Sequence, residues 1–318
     1  MIISASRRTD IPAYYSEWFM NRLKAGFVLT RNPMNHAQIS RIMLTPEDID
    51  CIVFWTKDPE PMFTQLPLLD HMGYKYYFQF TLTPYTKDLE PNLRDKKDII
   101  KTFTKLSETI GRERVLWRYD PIIINDSYTV DFHLDKIKEF CGRLGDYTEV
   151  CTISFLDLYH KLKSVHRPLL REITEEEMAR LAAAFSEAGS RYGFSVRTCC
   201  EELDLSSFGI SHASCIDQRT IEGICGYSIR GKQDANQRTG CGCIQSIDIG
   251  SYNTCPNGCI YCYANYGEAS TKKNHESHDP SSELLFGTLR GGELITDRAV
   301  KSLRVDQLKL FEDRREYS

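Results

Sequence analysis

The sequence predicts an α/β protein, a TIM-like (β/α) barrel with a C-terminal cysteine-rich extension, and three observations point there. Short apolar β-rich runs alternate with longer stretches of helical period, the pattern of βαβ units that build a parallel sheet. Glycines stand where several of those helices should stop. A last β-rich run comes just before a dense group of cysteines near the end of the chain. An open doubly wound sheet is the competing arrangement.

The β-rich runs are residues 2–6, 27–31, 51–55, 76–81, 115–118, 150–155 and 195–198, with 246–249 as the eighth. Helical patterns are clearest over 98–110, 131–144 and 174–192. The last opens with Thr174-Glu175-Glu176-Glu177, a capping box with carboxylates at the positive end of the helix dipole. Gly26, Gly73, Gly111, Gly145 and Gly193 are the expected helix stops. This divides the chain into the main part of the barrel (1–198), a cysteine-rich region with the last strand and its loop (199–266), and a C-terminal loop and tail (267–318). Within the last, 268–280 is polar and turn-rich and reads as an exposed loop.

Composition excludes several classes. A net charge of −4 gives no global basic field for nucleic acid. No run approaches the roughly 20 apolar residues of a membrane span, and the first residues lack the order of a secretion signal. A cytoplasmic location is expected. In that reducing setting the 12 cysteines do not read as a disulfide framework. Cys51, Cys141 and Cys151 are scattered, and the other nine crowd between Cys199 and Cys262, which points to metal.

The sharpest motif is Cys255-Pro256-Asn257-Gly258-Cys259-Ile260-Tyr261-Cys262. Three thiolates on one short loop can hold three irons of a 4Fe-4S cube. The fourth iron then stays open to a small molecule with an amine and a carboxylate, a pair of groups that S-adenosylmethionine (SAM) carries. Pro256, Asn257 and Gly258 supply tight turns. The alternative is a structural zinc site, which would need a fourth ligand from elsewhere. Cys199, Cys215, Cys241 and Cys243 make a second, four-thiolate set that could hold another iron–sulfur cluster or zinc, or could be buried packing. Cys200 and Cys225 read as packing residues.

In a barrel, polar residues just beyond the strand ends line the site. Here they are Arg7, Arg8, Thr9 and Asp10; Arg31 and Asn32; Trp55, Thr56, Lys57 and Asp58; Thr81 and Thr83; Arg118, Tyr119 and Asp120; Ser154; and Glu201 and Glu202. The cations could hold a carboxylate, a phosphate or an anionic substrate. Arg7, Arg118 and Asp120 are the candidate catalytic residues, and Arg8, Asp10 and Lys57 are placed with the cofactor. The triad and the two arginines are expected to border one cavity.

The triad resembles the signature of radical SAM enzymes. Four stretches cover nearly the whole chain: Ser6-Arg7-Arg8-Thr9-Asp10-Ile11-Pro12, Val53-Phe54-Trp55-Thr56-Lys57, Trp117-Arg118-Tyr119-Asp120-Pro121, and 248–264. Through them the chain resembles an uncharacterised domain-of-unknown-function family related to radical SAM proteins. The resemblance implies a 4Fe-4S cluster at the triad, SAM as its ligand, Tyr261 near the adenine, and Cys199, Cys215, Cys241 and Cys243 as one group. An electron donor of flavodoxin or ferredoxin type would follow. The triad usually lies near the N-terminus of such proteins; its place here implies a circularly permuted barrel, whose last strand lies beside the first. Gly291-Gly292-Glu293 matches a short SAM-binding element but follows the wrong strand, so it reads as coincidental. Gln307-Leu308-Lys309-Leu310-Phe311 is similar to the peptide by which replication and repair proteins bind the sliding clamp, which would point to a nucleic-acid substrate. A terminal helix packing on the barrel is the plainer reading. The rival to an enzyme is a non-catalytic, redox-sensing iron–sulfur or zinc-binding accessory protein.

Overall fold

A computed structural model describes residues 1–156, 170–201, 203–238 and 240–305. Along the chain run β1 (Ile2–Ala5), α1 (Ile11–Tyr14), α2 (Ser16–Ala25), β2 (Phe27–Arg31), β3 (Gln38–Met43), β4 (Cys51–Thr56), α3 (Leu66–His71), β5 (Tyr76–Thr81), α4 (Lys96–Ile110) and β6 (Val115–Ile122). Then follow α5 (Val130–Leu144), β7 (Val150–Phe155), α6 (Glu175–Tyr192), β8 (Ser195–Thr198), β9 (Ser211–His212), α7 (Gln218–Cys225), β10 (Ile247–Asp248), α8 (Glu268–Glu276) and β11 (Leu294–Asp297).

Eight strands form one parallel sheet in the order β10-β1-β4-β5-β6-β7-β8-β9. The result is a mixed α/β fold with helices flanking a large parallel sheet. Because side chains alternate along a strand, the sheet has two distinct faces. Ile3, Ala5, Ile52, Phe54, Phe78, Phe80, Trp117 and Tyr119 share the main core with the apolar sides of α2, α4, α5 and α6. Ile2, Cys51, Val53, Tyr77 and Leu116 instead meet Cys215, Ile216, Ile221, Cys241, Cys243 and Ile244, so the cysteine-rich segment lies over the other face. No ladder joins β9 to β10 among the described residues. Beyond them, Ile244 N–H donates to Ile216 O at 3.1 Å.

The predicted alternation holds, with one strand exchanged. Residues 27–31 are a strand, but it lies in a second sheet of order β11-β3-β2. The connection 32–37 is too short for a crossover, so β2 must return antiparallel on β3 as a hairpin. The eighth place in the main sheet goes to β9, two residues long. As a result Arg31 and Asn32 do not border the main sheet's end: Arg31 Nη1 pairs with Glu293 Oε1 at 3.2 Å. The Gly291-Gly292-Glu293 element serves this turn, with Glu293 also accepting from Arg290 N at 2.9 Å.

Helix α6 carries the predicted capping box between Thr174 and Glu177. Gly26 and Gly193 take the left-handed stop, whereas Gly145 is right-handed and turns into a short 3-10 segment against Tyr192. The expected loop at 268–280 is in large part α8. Of the helix only Thr271 is buried, so it has no apolar stripe to read from sequence. Asn274 Nδ2, bonded to Asn253 O at 3.0 Å, and His275 Nδ1, 3.0 Å from Tyr15 Oη, dock it. Among the described residues no helix is long and apolar enough to cross a membrane.

Candidate metal centre

Strand β10 lies parallel to β1, so the loops after both open at the same end of the sheet. Asp248 joins them. Its carboxylate accepts from Ser4 Oγ (2.9 Å), Ser6 Oγ (2.5 Å), Arg7 N (2.8 Å) and Gly250 N (3.0 Å). The approach is so close that a Cβ on Gly250 would stand 2.2 Å from Ser6 Oγ.

The loop then runs through Cys255, Cys259 and Cys262, which together line a cavity of about 570 Å³ with Pro91, Asn92 and Asn265 on one side and Thr271, Lys272 and His275 of α8 on another. Its backbone is fixed from several directions. Ile260 N donates to Leu89 O at 3.0 Å, Asn92 Nδ2 to Pro256 O at 2.8 Å, and Asn265 Nδ2 to Cys255 O at 2.7 Å. Asn257 donates to Asp10 Oδ2 at 3.3 Å and accepts from Tyr14 Oη at 2.6 Å. Tyr15 donates to Thr254 O.

Burial pushes all three thiols up, Cys259 to about 12, and Cys255 and Cys259 are pushed further by the neighbouring thiols. A bound cation reverses that preference by taking them as thiolates. Ala264 N already points at Cys262 Sγ, 3.3 Å away, and such amide–sulfur contacts tune thiolate-held metals. Among the described residues no three His, Cys, Asp or Glu side chains surround the place of a single ion. An iron–sulfur cube asks for something different, one thiolate per iron at separate corners. Cys255, Cys259 and Cys262 line one cavity together.

Beside the triad sits a buried charge cluster. Glu90, 1% exposed, pairs with Lys57 Nζ at 2.7 Å and with Lys96, and accepts from Thr83 Oγ1 at 2.9 Å and from Tyr261 Oη. Burial alone would raise its carboxyl, but Lys57 and Lys96 outweigh it and hold the group at about 2. Burial is the largest influence on Lys57 and lowers it, but Glu90, Cys259 and Asp120 together raise it further, so its ammonium is stabilised; for Lys96 burial wins. Asp10 caps α1 through Ala13 N and accepts from Lys57 N at 2.8 Å, and burial raises it to about 6.

This environment changes the expected roles. Tyr261 is drawn inward by Glu90 and packs with Tyr85, Leu89 and Ile123, 9% exposed, with Lys57 Nζ 5.5 Å from its ring centroid. The exposed aromatics of the loop are Tyr263 and Tyr266. Lys57 spends its charge on Glu90, and Asp10 braces the loop. Arg8 stands 5.1 Å from the ring of Tyr252 on the same loop and makes no ion pair among the described residues.

Arg7 and Arg118 do come together, but not on the triad's cavity, whose lining excludes both. They flank the Trp55 ring at 5.3 and 5.4 Å. Arg118 pairs with Asp120, and its Nη1 donates to Cys215 Sγ at 3.0 Å and Gln79 Oε1 at 3.3 Å. The physical reason is the sheet's alternation: Arg118 and Trp55 project on the face covered by the cysteine-rich segment. Arg7 still touches the triad loop, its carbonyl accepting from Tyr263 Oη at 2.6 Å. Cys199 and Cys215 lie Sγ to Sγ at 3.0 Å, and Cys243 Sγ accepts from Ile216 N at 3.3 Å. Cys200, read as packing, contacts Cys199 and Cys241, whereas Cys225 donates to Asp50 O. Glu201 Oε1 accepts from Phe155 N at 2.8 Å. Glu202 and the Gln307–Phe311 peptide lie outside the described residues.

Glu90, Gln79, Tyr14, Tyr15 and His275 escaped sequence reasoning. Glu90 sits in an irregular stretch with no period, and only its partners mark it.

No curated protein matches the chain. Among solved structures, the chain is similar to a putative alpha-L-fucosidase from Bacteroides thetaiotaomicron VPI-5482, at 12% identity over 65% of this chain and 77% of that one, with a TM-score of 0.23. A likeness that slight bears on neither fold nor activity. The sequence model of the domain of unknown function DUF1848 matches residues 2–264, nearly the whole described α/β unit, and the chain belongs to that family.

Proposed function

We propose that this protein is a radical SAM-type iron–sulfur enzyme on a circularly permuted barrel, with Cys255, Cys259 and Cys262 as the cluster ligands. The observation that carries the reading is the triad itself, three thiols lining one cavity at the sheet end shared by β10 and β1. When bound, the cluster supplies one-electron reductive cleavage of SAM. The chain's own part is to hold and shield. Asp10, Asn257 and Asn92 fix the loop; Glu90, held between Lys57 and Lys96, favours the Lys57 ammonium beside Cys259; Asp120, with a side chain 23% exposed, can meet a substrate at the sheet end. Arg8 keeps its charge for an anionic group, whether the carboxylate of SAM or a phosphate.

The electron source in this proposal is a flavodoxin or ferredoxin, the substrate is nucleic-acid related, and a sliding clamp is the partner of Gln307–Phe311. Anaerobic reconstitution followed by iron, sulfide and deoxyadenosine assays tests the core of it. About four irons and four sulfides at the triad, with deoxyadenosine formed on reduction, are expected. Zinc alone at the triad, or a reduced cluster that never yields deoxyadenosine, overturns the enzyme reading in favour of an accessory or redox-sensing protein.

A further inference from the structure

Five thiols other than the triad converge on the covered face of the sheet. Cys199 and Cys200 follow β8, Cys215 follows β9, and Cys241 and Cys243 precede β10. Cys199 and Cys215 lie Sγ to Sγ at 3.0 Å, and Cys215, Cys241 and Cys243 share one buried cluster against which Cys199 and Cys200 pack. Cys215, Cys241 and Cys243 are at most 6% exposed.

The surroundings are not those of ordinary core cysteine, which packs among apolar groups. Cys141 shows the ordinary case here, its thiol shifted by burial alone. Around the group, by contrast, nitrogen donors aim at sulfur: Arg118 Nη1 at Cys215 (3.0 Å) and Ile216 N at Cys243 (3.3 Å). Arg7 adds a second guanidinium, with Nη1 3.9 Å from Asp234 Oδ2 and Nη2 buried without a hydrogen-bond partner. Tyr77 Oη and Gln79 Nε2 both donate to Cys215 O, at 2.9 and 2.7 Å, fixing its backbone over β5. Cys200 takes φ 55°, a left-handed conformation unusual for a residue with a side chain. Four thiolates around zinc or a 4Fe-4S cube leave about two negative charges in excess. Arg118 and Arg7 stand beside these sulfurs, each also facing a carboxylate (Asp120 for Arg118, and Asp234 at 3.9 Å for Arg7), so they offset part of that charge.

We propose that Cys199, Cys215 and Cys243, completed by Cys200 or Cys241, ligate a second thiophilic metal centre, separate from the triad, with Arg118 and the Ile216 amide as donors to its sulfurs. Full ligation by protein makes it a structural or electron-transfer centre, without an open coordination position for substrate.

The test is the full chain carrying Cys255→Ala, Cys259→Ala and Cys262→Ala, purified without oxygen and assayed for zinc, iron and acid-labile sulfide. About one centre per chain is expected to remain, as zinc alone or as iron with sulfide and visible absorption, and the two outcomes identify the metal. Adding Cys215→Ser and Cys243→Ser should cut that metal at least about fivefold. A triad-free chain with native circular dichroism and less than about a tenth of an equivalent of metal overturns the proposal. If the triad-free chain does not fold, Cys215→Ser with Cys243→Ser in the otherwise native chain decides: unchanged total metal refutes the second centre. A wild-type chain that holds this metal but makes no deoxyadenosine removes the triad reading and leaves this one standing.

Discussion

Glu90→Gln isolates the charge that organises the triad's flank. The carboxylate is buried between two ammonium groups, and its hydrogen bonds from Thr83 and Tyr261 survive in large part when an amide replaces it. A carboxyl held at about 2 instead of the ordinary 4.5 favours the ionised folded state by roughly 3 kcal/mol. Removing one partner of a buried pair costs about 3 to 5 kcal/mol, because the other charges stay buried. The folded-state value is depressed, so this stability is fully present above 4.5 and is lost as pH falls through 4.5 toward 2. Urea denaturation followed by circular dichroism should therefore show Glu90→Gln weakened by about 3 kcal/mol or more at pH 7. The gap to wild type should narrow as the pH is lowered below 4.5. Lys96→Met in the same chain should recover part of the loss, since burial makes the Lys96 charge costly. A Glu90→Gln chain within about 1 kcal/mol of wild type at pH 7, or one whose deficit stays constant down to pH 3, would refute the reasoning.

Gly250→Ala sets a Cβ 2.2 Å from Ser6 Oγ and 3.0 Å from Thr9 Cγ2, so a loss of about 1 to 3 kcal/mol is expected in thermal or urea unfolding, with weaker metal retention at the triad. Asp10→Asn should have the opposite pH signature from Glu90: burial raises the Asp10 carboxyl from 3.8 to about 6, so it costs nothing below 3.8 and penalises the fold as pH rises through 6. The amide variant should flatten the stability profile over that interval, as read by melting temperature against pH. Arg118→Gln keeps a donor near Cys215 but removes the charge. If both proposed centres are present, this variant lowers the metal content or the reduction potential of the second while iron at the triad stays at the wild-type level.

The β-rich runs were legible because each buries both faces or alternates cleanly, and α4, α5 and α6 because their apolar stripes and caps are local. What a run pairs with is not local. Phe27–Arg31 has the composition of a sheet strand, and only the short connection to β3 shows that it must turn back. β9 is two residues long and α8 lacks an apolar stripe, so neither rises above its background. At the site, cysteine spacing marked the candidate triad because its three thiols are close in sequence. Glu90 had no such signal, since its meaning lies in Lys57, Lys96 and Tyr261 meeting it from three other segments. Arg7 and Arg118 were found as strand-end cations, but the side of the sheet they face depends on register.

That register also explains why the triad can stand late in the chain. Asp248 receives Ser4 and Ser6, residues at a sequence separation of more than 240 positions, and the Tyr15 hydroxyl reaches His275 and Thr254. The loop is thus enclosed by elements from the first 25 residues and from α8, with the stretch after β5 between them. Its own motif supplies the thiols; the residues that hold the loop come from β1, α1, α8 and the stretch after β5. Such non-local contacts carry a large loop-closure cost before they form. A metal held there therefore stabilises the pairing of β10 with β1 as well as the loop, because binding to the assembled site alone shifts the whole folding equilibrium.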